Sequence, residues 1–213
     1  MLVEPKALVR RLSPTALRLL EAAVGRAAAS RFYEIVVEHL LLQMAQDESG
    51  DTAYLLKHFG VDRLKFAARL EQILSRFKTG NSGRPVFAEN LFQWVEDAWL
   101  VASVEHGAAR LRSGVLLAQF IARPARYTSE LIPELDGISN EELKRDLEAI
   151  LGPSPEGVEV KATGAEALPA SGEVQPGANE ALKRFAICFT QRAREGKIDP
   201  IFGRDREIRQ VVD

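Results

Sequence analysis

A chain of 213 residues with 46% hydrophobic side chains has material for a real core, which excludes wholesale disorder. Its 28 basic and 30 acidic residues are interspersed and leave a net charge of -2, so nothing in it attracts nucleic acid or another polyanion. The single cysteine, Cys188, rules out a disulfide framework and argues against a Cys-ligated zinc site, as suits a reducing cytosol, and no apolar run reaches the length of a signal-peptide core or a membrane span.

Taken in chain order, the first expected element is a short helix over Lys6 to Leu12, with Leu8 and Leu12 one turn apart on an otherwise basic segment. Ser13 followed by Pro14 reads as an N-cap with proline at the first helical position. From there Leu17, Leu20, Val24 and Ala27 form an apolar stripe at i, i+3, i+7 and i+10, and adding 75 gives Phe92, Val95, Trp99 and Ala102. The same offset carries Val37, Leu40, Leu41 and Leu42 onto Arg112, Val115, Leu116 and Leu117, with one apolar position lost at Arg112. After a two-residue insertion Val61, Leu70, Ile73 and Leu74 correspond to Ile138, Leu147, Ile150 and Leu151, and Ser139 with Glu142 reads as a capping box. Each unit offers about four amphipathic helices, and KTGNSGRP (78–85) supplies the Gly, Asn and Pro of a connecting loop.

No stretch shows the sustained period-2 alternation of a strand, so residues 1–152 are expected to be all-α: two pseudo-symmetric bundles, about 13–77 and 86–152, plus the extra N-terminal helix. Residues 153–178 hold four Pro, four Gly and a net charge of -3, which predicts a flexible linker. Residues 179–213 return to helical character and read as the opening of another domain.

Catalytic motifs are missing. There is no GxxxxGK[ST] phosphate loop, no HExxH, no CxxC and no GxSxG, so no enzymatic activity is expected of these residues. His39, His58 and His106 stand at unrelated spacings; His39 is expected to hydrogen-bond backbone at a helix start rather than act as ligand or base. Cys188, among Phe185, Ile187 and Phe189, reads as a small hydrophobe. Trp99, on the repeat's stripe, is expected to pack in the core, and Trp94, off it, to be partly exposed; Arg10, Arg11 and Arg18 read as a solvated face.

Two stretches resemble a known family. Residues 190–208, TQRAREGKIDPIFGRDREI, resemble the segment opening the first ATPase domain of the double-ring Clp unfoldases. The 75-residue repeat, with Glu38-His39-Leu40-Leu41-Leu42 in one unit and Arg112-Ser113-Gly114-Val115-Leu116-Leu117 in the other, resembles the duplicated Clp N-domain. Ser30-Arg31-Phe32-Tyr33-Glu34, Lys78-Thr79-Gly80-Asn81, Ala98 to Ser103 and the segment before Ser13 are similar to ClpV-type members, which serve bacterial type VI secretion; Ala118-Gln119-Phe120-Ile121 departs from a more leucine-rich family pattern.

The resemblance implies a bacterial, cytoplasmic AAA+ unfoldase, a homo-hexamer using ATP and Mg in its full-length form, whose N-domain captures a helix of the contracted sheath protein for disassembly. It implies a groove between the first and last helices of this domain; Leu8, Leu12 and Leu143 read as its apolar floor, with Leu147 beside them and Arg11 and Lys144 at its rim. Equally, these leucines can simply fasten the first helix to the bundle. Ile201, Phe202, Gly203 and Arg204 match the family's adenine-pocket segment. The alternative is the N-domain of a general Clp disaggregase or protease-associated unfoldase, binding unfolded chains or an adaptor. Neither nucleic acid nor a membrane is an expected partner.

Overall fold

The computed structural model describes residues 4–163, with side chains to residue 160; expectations for Cys188, for Ile201 to Arg204 and for the rest of 164–213 lie outside the described residues. The chain divides into two units, 1–169 and 170–213, and all described residues belong to the first.

The described elements are helical apart from one pair of two-residue strands. Helix α1 (Pro5–Val9) precedes α2 (Pro14–Ala29), α3 (Val37–Gln46), α4 (Asp51–His58) and α5 (Arg63–Leu74). The second half holds α6 (Glu89–Val104), α7 (Ser113–Ala122), the short α8 (Pro124–Tyr127), a 3-10 turn at Pro133–Leu135, α9 (Asn140–Leu151) and α10 (Pro155–Thr163). The repeat is visible in the boundaries. Helices α2 and α6 are offset by 75 residues at both ends, and α5 and α9 by 77 at both ends. One difference lies between them: α8 and the 3-10 turn replace the two-turn α4 of the first half.

Local chemistry places the helix starts. Ser13 Oγ accepts from Ala16 N at 3.0 Å with Pro14 at the first helical position, Asp62 caps α5 through Leu64 N and Lys65 N, and Ser139 Oγ accepts from Glu142 N at 3.4 Å. The α3 start uses His39, whose Nδ1 accepts from Val36 N at 3.1 Å, the backbone role expected of it.

The strands β1 (Glu34–Ile35) and β2 (Val86–Phe87) pair in parallel and tie the end of the 78–85 loop to the α2–α3 connection of the first repeat. Two residues are too few to show a period-2 pattern. In the same loop Gly80 sits at φ 103°, and Gly80 N and Asn81 N both donate to Arg31 O.

Within the first unit, one apolar core runs through both repeats. The +75 relation extends to burial: Ala16, Leu19, Leu20, Ala23 and Ala27 and their counterparts Leu91, Trp94, Val95, Ala98 and Ala102 are all buried. The expectation for Trp94 is therefore overturned, while Trp99 packs against the core without being enclosed by it. Trp94 is fully buried and its indole N–H donates to Leu116 O at 2.8 Å, whereas Trp99 is half-buried. The stripe of α6 is rotated by about one residue from the one drawn through Phe92 and Trp99, which places Trp94 opposite Phe120 with ring centroids 5.7 Å apart.

The beginning of the 153–178 stretch also differs from expectation. Residues 155–163 form α10, packed against α2, with Ser154 and Glu156 fully buried. Composition suggested a linker because the segment has little apolar surface, but its attachment is polar.

Candidate partner-binding surface

The six residues expected to make a groove fall into two groups. Leu8, Leu12, Leu143 and Leu147 are at most 4% exposed. They fasten helices and are not an open floor. Helix α1 packs against α6, while α9 packs against α4 and α7, so the two leucine pairs serve different contacts. Arg11 and Lys144 do reach the surface, and both end on α6. The Arg11 guanidinium lies 5.0 Å above the Trp99 ring, and Lys144 Nζ is 3.2 Å from Glu105, which caps the end of α6.

Between these cations α6 presents apolar surface. Leu100 and Val104, one turn apart, are 62% and 72% exposed, next to half-buried Trp99. Along α1 and the turn after it, Lys6, Arg10 and Arg11 form no ion pair among the described residues. The combination is an apolar helix face with the Arg11 guanidinium on Trp99 and Lys144 paired with Glu105 at the end of the same helix. Exposure of the i, i+4 pair Leu100/Val104 was legible in the sequence once the α6 stripe was set by Leu19 and Trp94 instead of Leu17 and Phe92.

A second constellation holds this region together. Residues 11–13 run beside 111–113: Leu111 N donates to Arg11 O at 2.6 Å, Ser13 N donates to Leu111 O at 2.8 Å, and Leu12 bridges Leu111 in parallel. Beneath them the Glu156 carboxylate accepts from Ser13 Oγ and Ser113 Oγ, each at 2.6 Å, from Ser113 N at 2.8 Å and from Asp51 N at 3.3 Å. Burial, and then the Asp51 carboxylate nearby, push the Glu156 pKa up. Asp51 is itself gripped by Arg112, through Nε at 2.8 Å and Nη2 at 2.6 Å, and Arg112 Nη2 also donates to Leu151 O at 2.9 Å. This explains why Arg112 breaks the apolar pattern of its repeat: it neutralises a buried carboxylate at the seam. Sequence reasoning missed Glu156. Its signal was the dipeptide Ser154-Pro155, the same grammar as Ser13-Pro14, and Ser154 Oγ does accept from Glu156 N at 3.2 Å.

One group among the described residues brings three potential metal ligands within 4.8 Å of one another: His58, Glu142 and Asp146. It lies at the surface, and Arg145 already forks onto Asp146 at 2.8 and 2.9 Å. Among the described residues no helix is long and apolar enough to cross a membrane.

Comparison with known proteins decides the family. The model for the Clp repeat (R) N-terminal domain matches residues 11–132. The chain belongs to the Clp N-domain family. It is 33% identical to the AAA+ ATPase ClpV1 of Pseudomonas aeruginosa over 97% of this chain and 24% of that protein, and 30% identical to the chaperone protein ClpB of Yersinia enterocolitica over 100% of this chain and 25% of that protein. The chain thus spans about a quarter of the length of these relatives. Among solved structures, a ClpV N-domain in complex with a VipB peptide superposes with a TM-score of 0.65 at 28% identity, covering 73% of this chain and 96% of that one. The Clp N-domain match begins at Arg11, so α1 precedes it, as the extra segment before Ser13 led us to expect.

Proposed function

We propose that this chain is the recognition part of a ClpV-type AAA+ unfoldase and that it captures a helical segment of a type VI secretion sheath protein. The observation that carries the reading is the likeness, over 73% of the chain, to an N-domain solved with a bound VipB peptide. The surface that suits such a helix is the outer face of α6 beside α1. Leu100, Val104 and the exposed edge of Trp99 offer the apolar side, and Arg11 and Lys144 frame it. A helix with apolar anchors one turn apart would meet this face.

The buried leucines Leu8, Leu12, Leu143 and Leu147 enter only indirectly, by fixing α1 and α9. ATP, Mg and a hexameric ring belong to the full-length protein, in the bacterial cytoplasm; recognition is the share of residues 1–163. A lone helix is expected to bind with micromolar affinity, about -8 kcal/mol, and a ring gains by avidity. Competition pull-down separates this reading from that of a general disaggregase N-domain. The immobilised chain should retain a sheath helix against excess unfolded polypeptide; loss of the helix to that competitor would favour the ClpB-like reading.

A further inference from the structure

Helix α10 is attached to the domain in an unusual way. Of its described apolar side chains, Val158 is 68% exposed and Val160 is half-buried, and neither is among the fully buried core residues, whose last member is Leu151. What is buried is Ser154, Glu156 and Gly157. The Glu156 carboxylate reaches the starts of three helices from both repeats: Ser13 at α2, Asp51 N at α4, and Ser113 N and Oγ at α7. Glu159 adds one bond, accepting from Thr15 Oγ at 2.7 Å. A Cβ at Gly157 would lie 3.1 Å from the Arg112 guanidinium, so the helix backbone seats directly on the Asp51–Arg112 pair.

We propose that α10 is a releasable strap, pinned across the seam between the two repeats by the Glu156 carboxylate. Polar anchoring makes it separable. Opening the strap exposes helix-start amides and hydroxyls that water can satisfy, and uncovers almost no apolar core, so it belongs to the class of local openings that lie well below global unfolding. The bundle keeps its own seam when the strap lifts, because Arg112 still holds Asp51 and Leu151 O. Closed, the strap runs along the start of α2, where Glu159 meets Thr15. Open, residues 153–163 add up to about 35 Å of reach to the segment that follows. The strap therefore sets both the exit point and the tether length of the recognition domain.

Hydrogen exchange on the 213-residue chain tests this. In the wild type the amides of residues 156–163 should exchange through an opening that leaves α2, α6 and α7 protected. Glu156→Ala should speed exchange of the 156–163 amides by about tenfold to a hundredfold while the bundle's protection stays put. Glu156→Gln, which keeps the shape but turns one acceptor oxygen into a donor, should fall between. If the 156–163 amides exchange only together with the bundle, or keep wild-type protection in Glu156→Ala, the strap does not exist.

Discussion

Ser13 and Glu156, 143 residues apart, meet at 2.6 Å, and the same Ser13 oxygen accepts from Ala16 N. One hydroxyl therefore both starts α2 and receives the end of the domain.

Its removal has two costs. Ser13→Ala loses a helix cap and leaves a buried carboxylate with one donor fewer, a loss of about 2 kcal/mol, or about 5 °C in Tm. Ser139→Ala, which removes only the exposed cap at α9, should cost about 0.5 to 1 kcal/mol. Denaturant unfolding of the two variants gives the comparison.

Helices α3 and α7 are offset by 76 residues at both ends, one more than the 75 read from the sequence, so Gly114 stands where the first repeat has Glu38, and the difference is steric. A Cβ at Gly114 would come within 2.6 Å of Leu151 and 2.8 Å of Asp51 Cβ, and Asp51 cannot retreat while Arg112 grips it. Gly114→Ala is expected to destabilise by about 2 kcal/mol through overpacking, despite the better helix propensity of alanine. Gly25→Ala, with nothing within 4 Å, should be neutral or stabilising in the same assay.

The helical duplication was legible because core stripes repeat residue by residue; the offsets of 75 and 77 reappear in the helix ends. The phase of α6 was harder. Leu17/Phe92 and Leu19/Trp94 are both apolar pairs, and only packing against Phe120 and Leu116 selects the second as core. Burial of the four groove leucines escaped because leucines one turn apart look the same whether they face a partner or a neighbouring helix. Glu156 escaped for a different reason. Its partners lie 43 to 143 residues away, and a carboxylate satisfied by distant amides leaves no periodic trace.

The tryptophan assignments can be checked directly, since the chain has only two. Trp99→Phe leaves the shielded Trp94, whose fluorescence iodide should hardly quench; Trp94→Phe leaves Trp99, which should be quenched readily. Trp94→Phe should also cost about 2 kcal/mol, for the indole bond to Leu116 O and the lost packing.

His39 predicts a pH dependence. Burial first, and then nearby Arg26, lower its pKa from 6.5 to about 4, and its Nδ1 must stay unprotonated to accept from Val36 N. Between those values the unfolded chain takes up a proton that the folded one refuses. Stability present above pH 6.5 is therefore lost as pH falls toward 4, by about 3 kcal/mol. Glu38 and Glu156 act oppositely. Their raised pKa values give a contribution that is full below the ordinary glutamate value and is lost as pH rises through the folded-state values. The His39 effect thus appears in the difference between wild type and His39→Gln, which should change in size between pH 7.5 and 4.5; a constant difference would mean that His39 does not titrate on unfolding.

The central claim is that the outer face of α6 beside α1 captures a sheath helix. Leu12→Asp is a poor probe, because Leu12 is buried and the change would disturb the fold. Leu100→Asp is the direct one: Leu100 is exposed, so the variant should keep the wild-type Tm. Calorimetric titration with a sheath-derived helical peptide should give micromolar binding to the wild type and at least a tenfold weaker affinity for Leu100→Asp. Equal affinity of the folded variant and the wild type would contradict the account.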